Sequence, residues 1–151
     1  MDAALQKQPR QMTGRDLDRF LAAQDEVYEH ALAEIRAGHK QSHWMWFIFP
    51  QIAGLGFSET SRHFAIRNRG EAEAYLAHPV LGARLRECAH AVLAVKGRSA
   101  SDIFGSVDAM KLRSSATLFA AVSPDRSLFH TIIDEYFDGR GDDKTTQLLR
   151  D

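Results

Sequence analysis

The sequence predicts an all-α protein, a single-domain bundle of about seven or eight helices joined by short loops. Three observations carry this. Apolar residues recur at helical spacing along most of the chain. Glycine, proline and capping residues punctuate those stretches at intervals of one helix length. No segment alternates polar and apolar residues over the length of a strand. With 151 residues, 44% hydrophobic and 26% charged, the chain is long enough to bury a core without metal or disulfide.

The N-terminal stretch 1–15 mixes Gln, Ala, Lys7, Arg10 and Arg15 and has no apolar run, so a flexible tail is expected there. Leu17, Phe20, Leu21, Tyr28, Ala31, Leu32 and Ile35 then mark one long helix from about Asp16 to Ala37, stopped at Gly38. Next comes Ser42-His43-Trp44-Met45-Trp46-Phe47-Ile48-Phe49-Pro50. Ser42 suits an N-cap and Pro50 a stop, so the reading is a short buried helix. A central strand is the alternative, because a nearly continuous apolar run has no period to choose by. Gln51 to Phe57, with Gly54 and Gly56, reads as a tight loop.

Further helices are expected at Ser58 or Glu59 to Ile66, Gly70 to Ala77, Val80 to Val95, Asp108 to Val122, Leu128 to Phe137 and Asp142 to Leu149. Ser101 to Gly105 offers one more helical turn. The Asp108 helix has apolar residues on both sides of a small-residue run, Ser114 to Thr117, which predicts a central position.

Several chemistries are excluded. Lys plus Arg number 19 against 20 Asp plus Glu, so there is no basic excess for general nucleic-acid binding. The longest concentrated apolar run, Trp44 to Phe49, is far short of the roughly 20 residues of a membrane span. One cysteine, Cys88, cannot form an internal bridge and sits at an apolar helical position, which fits a reducing, cytoplasmic setting. There is no zinc spacing, no Walker loop, no dinucleotide fingerprint and no nucleophile elbow. No metal or cofactor is expected.

Some residues fit a plain core less easily. Gln24 falls in the middle of the first apolar stripe. It either caps a neighbouring element or reads a ligand's polar edge. Lys40, His43, Trp44, Trp46 and Gln51 combine charge, an acid–base group and flat aromatic surface. The tryptophans are either core or a stacking platform. Lys111 and Ser115 share a helix face one turn apart and could hold an oxyanion, or simply pack closely.

The run Lys40-x-x-His43-Trp44-Met45-Trp46-Phe47-Ile48-Phe49-Pro50-Gln51 is distinctive. It occurs with Gly54-Leu55-Gly56, Ala74-Tyr75-Leu76-Ala77-His78-Pro79-Val80-Leu81-Gly82, Ile103-Phe104-Gly105 and Lys111-Leu112-Arg113-Ser114-Ser115. Together they resemble an uncharacterised bacterial domain-of-unknown-function family, sometimes labelled calpastatin-like, over about Asp16 to Leu149. The resemblance implies a compact helical domain and no assigned activity. This chain shows no inhibitor repeat of the kind the label suggests. A looser likeness of size and helical character links it to the NADAR group, helical proteins that handle ADP-ribose and related glycosides, without any residue-by-residue match.

The expectation is therefore one pocket between the first helix, the Trp segment and the Lys111 helix. Gln24, Lys40, Trp44, Gln51, Lys111 and Ser115 would line it. The guest would be an anionic, ring-bearing small molecule such as a nucleotide or ADP-ribose derivative. If the protein is an enzyme, a hydrolase or N-glycosidase with His43 as general acid–base is expected. The competing expectation is a non-enzymatic interaction module that uses an exposed Trp segment.

Overall fold

A computed structural model describes residues 9–150. Among them are ten α-helices: α1 (Pro9–Asp25), α2 (Tyr28–Arg36), α3 (Met45–Ile48), α4 (Glu59–His63), α5 (Arg69–Ala77), α6 (Leu81–Ala94), α7 (Ala100–Phe104), α8 (Ser106–Ala121), α9 (Leu128–Phe137) and α10 (Asp143–Arg150). The all-α expectation holds. The first helix already runs from Pro9, a residue type suited to a first helical turn; residues 1–8 of the expected tail lie outside the described residues.

The long first helix is in fact two. Val27 leaves helical geometry at φ −121°, ψ −6°, and its N–H reaches back only three residues, to the Gln24 carbonyl at 3.0 Å. No glycine or proline announces this break. It is explained by packing, since α1 lies against α3 and α5 while α2 lies against α6. One straight helix could not present its apolar stripe to both neighbours.

The Trp segment is helical only at its centre. Trp44 precedes α3 without a side-chain cap, and the expected cap, Ser42, gives its hydroxyl to Glu34 instead. The fourth helix stops at His63 rather than Ile66. Residues beyond it leave the helix, and among the described residues form one isolated parallel bridge, Ile52 with Ile66, both buried in the core. There Ile66 N–H donates to the Gln51 carbonyl and Ala53 N–H to the Ile66 carbonyl, each at 2.8 Å. One bridge is too short to leave an alternating pattern in the sequence.

Helix α8 is central, as expected, and contacts α5, α7, α9 and α10. Its middle, Ser114 to Ala120, is buried throughout. Small side chains there let neighbours approach; Thr117 Oγ1 takes the Asp142 N–H at 2.8 Å. The core continues through Phe20, Tyr75, Phe119 and Phe129, whose rings meet in a chain with centroids 5.1–5.7 Å apart, favourable aromatic spacings. No described helix is long and apolar enough to cross a membrane.

Candidate functional site

The residues singled out in the sequence do not share one pocket. Gln24 and Trp44 are inside the core, each about 1% exposed. Gln24 Nε2 donates to the Phe47 carbonyl at 2.7 Å and to the Tyr75 hydroxyl at 2.9 Å, and its Oε1 accepts from Arg84 at 3.2 Å. Both amide hydrogens are spent, and one of them satisfies a carbonyl of the short helix α3. The geometry is that of a cap, leaving little for a ligand.

Trp44 is not free to stack either. Its indole N–H donates to Glu34 Oε1 at 2.8 Å, and its ring meets Phe104 edge-on. Glu34 also accepts from the backbone N–H groups of Gln41 and Ser42, at 2.8 and 3.0 Å, and from the Ser42 hydroxyl. Burial alone would raise the Glu34 pKa, but these hydrogen bonds outweigh it and hold the carboxyl at about 2.

Lys40 and Lys111 converge on one carboxylate. Lys40 Nζ lies 2.9 Å from Asp108 Oδ2 and Lys111 Nζ 3.3 Å from Asp108 Oδ1. Each ammonium also sits over an indole, Lys40 at 4.9 Å from the Trp44 ring centre and Lys111 at 4.3 Å from that of Trp46, within cation–π range. Asp108 was not anticipated as a partner. It stands three residues before Lys111, a helical spacing the sequence could have flagged. Ser115 is buried one turn further along α8. Its hydroxyl is the buried side-chain polar atom, among the described residues, that finds no partner.

His43 is exposed, and no hydrogen bond or ion pair engages its ring among the described residues. Trp46 and Gln51 do reach a cavity, about 200 Å³, whose wall also includes Ile52, Gly54, Arg62 and Phe64. The Ile52–Ile66 bridge makes it, because it brings the loop after Pro50 alongside the end of α4. Glycine at 54 follows from geometry: φ is +106°, and a Cβ there would come within 3.0 Å of Leu148. Ser61 Oγ in the same wall is held by the Ser58 carbonyl at 3.0 Å. The Arg62 guanidinium and the Gln51 carboxamide have no partner among the described residues. Sequence reading missed Arg62 and Phe64 because it placed them inside a continuous helix.

Within the Trp segment Trp44, Met45, Ile48 and Phe49 are buried, and Trp46 and Phe47 are half-buried. The most exposed large apolar side chains, among the described residues, are Phe57, Val80, Val107 and Met110.

The helical fold agrees with comparison to known proteins. The chain belongs to the DUF1810 family, described as a protein of unknown function, whose model matches residues 14–149. The structure is similar to the crystal structure of the conserved hypothetical protein Rv1873 from Mycobacterium tuberculosis, with 46% sequence identity, a TM-score of 0.88, and coverage of 90% of this chain and 97% of that one. No curated protein matches the chain.

Proposed function

We propose that the domain binds a small anionic, ring-bearing molecule in the cavity between α3, the loop after Pro50 and the end of α4. One observation carries this reading. Gln24 and the Trp44 indole N–H are satisfied inside the core by the protein, whereas the exposed Arg62 and the half-buried Gln51 line an aromatic-walled cavity with no protein partner for their side-chain donors. A concave site with aromatic walls and a few polar groups at its edge is the usual setting for a small ligand.

Size narrows the guest. A volume of about 200 Å³ is below the roughly 300–1,000 Å³ of sites that enclose drug-sized ligands. The cavity can take a ring with one or two substituents, Trp46 and Phe64 against its faces or edges. Gln51 would read a polar edge and Arg62 would pair with the anion. The remainder of a nucleotide or ADP-ribose derivative, the kind of ligand the NADAR likeness suggests, would have to lie outside.

The reading is binding rather than hydrolysis. Among the described residues the cavity wall holds no Asp, Glu or His, so no general acid–base stands beside the guest. The test is a thermal-shift and tryptophan-fluorescence screen with aromatic carboxylates, nucleoside monophosphates and ADP-ribose. A hit that raises the melting temperature, perturbs Trp46 emission, and weakens at least tenfold in Arg62→Ala is expected. Absence of any hit overturns the reading.

A further inference from the structure

We propose that the Lys40–Asp108–Lys111 cluster is a second site, an oxyanion site for a phosphoryl group, with Asp108 its internal competitor. The argument begins with charge. Two ammoniums share one carboxylate, each on a different oxygen, so the cluster keeps one positive charge in excess. Glu34, near the end of α2, spends its oxygens on Gln41, Ser42 and Trp44 and forms no ion pair with either lysine.

The excess charge is poorly solvated. The Lys40 side chain is 6% exposed, whereas Lys111 and Asp108 are 22% and 19% exposed. The cluster is therefore closed on the Lys40 side and open on the Lys111 side. A partly buried ion without full compensation is unfavourable, and a small anion entering from the open side relieves it.

Donors are available for that anion. Two ammoniums carry six N–H bonds. Lys40 gives one to Asp108 and one to the Ser42 carbonyl, and Lys111 gives one to Asp108. The indole faces hold both ammoniums in place, so little side-chain entropy is lost when an oxyanion bridges them. A phosphoryl group, with several oxygens on one centre and up to two charges, matches two fixed ammoniums better than a second monoanionic carboxylate does.

The test uses the full chain and inorganic phosphate at constant ionic strength, balanced with chloride. Phosphate should raise the wild-type melting temperature, by roughly 3–6 °C at ten times its dissociation constant. Lys111→Met and Lys40→Met should lose that rise. Asp108→Asn should show a larger rise than wild type at the same phosphate concentration, because the internal competitor is gone. Equal rises in wild type and Lys111→Met, or a rise in Asp108→Asn no larger than in wild type, overturn the proposal. An equal rise with acetate overturns the phosphoryl assignment.

Should Asp108→Asn fail to fold, a phosphate titration of the wild type followed by amide NMR decides. Shifts at Lys40 and at residues 108–111 support the site, and their absence overturns it. The cavity reading is tested separately, since Arg62→Ala removes the cavity's cation and should leave the phosphate response intact.

Discussion

The indole N–H of Trp44 and the carboxylate of Glu34 meet at 2.8 Å, and this bond closes the loop between α2 and α3 onto the end of α2. Three further donors from Gln41 and Ser42 reach the same carboxylate. A neutral amide cannot accept all four in the same way. Glu34→Gln should therefore destabilise the domain by about 1.5–3 kcal/mol, the range for hydrogen bonds to a charged group.

The same site sets a pH dependence. The folded Glu34 pKa, about 2, lies below the ordinary value of 4.5, so the folded state favours the ionised form. The stabilisation is fully present above pH 4.5 and is lost as pH falls toward 2. Melting temperatures of wild type and Glu34→Gln should differ most near neutral pH and converge toward pH 2. A gap that stays constant between pH 5 and pH 2 would contradict the assignment.

Gln24 links α1, α3, α5 and α6 through one carboxamide. Gln24→Leu fits the apolar stripe by size but strands the Phe47 carbonyl and the Tyr75 hydroxyl. The expected loss is about 1–3 kcal/mol, roughly 2–12 °C in melting temperature for a domain of this length. Ligand affinity at the cavity should be unchanged, because Gln24 is not part of its wall. A loss of affinity larger than the loss of stability would return Gln24 to a binding role.

Most of the fold was legible because helices carry local signals. The Ser99 cap with Asp102 and the Ser127 cap before α9 lie where turn residues meet apolar periodicity. The break at Val27 was not legible, since it answers to which helices α1 and α2 touch. The candidate site was legible in part. Trp46 and Gln51 belong to the distinctive motif, but Arg62 and Phe64 join them only through the Ile52–Ile66 bridge, a tertiary pairing with no sequence period. Likewise Lys40 and Lys111 could be named as cations, while the carboxylate between them depends on how α8 faces the loop after α2.

Gly82 of α6 sits against the backbone of Leu76 in α5. A Cβ at this position would stand 2.2 Å from the Leu76 carbonyl oxygen and 2.9 Å from its carbon, and backbone cannot move aside as a side chain can. Helix propensity alone would favour alanine by about 1 kcal/mol. The clash should reverse that sign, so Gly82→Ala is expected to destabilise by about 1–3 kcal/mol, as overpacking does. Chemical denaturation of the two proteins measures it, and a stabilised variant would show that the helices separate freely.

Ser115 supplies a prediction of the opposite sign. Its hydroxyl is buried and unpartnered, although a serine within a helix can bond back to the carbonyl four residues earlier, here that of Lys111. An unsatisfied buried hydroxyl costs about 1–3 kcal/mol, while alanine is the better helix former and differs only by losing the oxygen. Ser115→Ala should therefore raise the melting temperature. It should also leave the phosphate response of the Lys40–Asp108–Lys111 cluster unchanged, since the hydroxyl lies one turn beyond it on α8. A lowered melting temperature would reveal a buried water held by Ser115. A lowered phosphate response would instead extend the oxyanion site by one turn, and the two outcomes are separated by measuring the variant with and without phosphate.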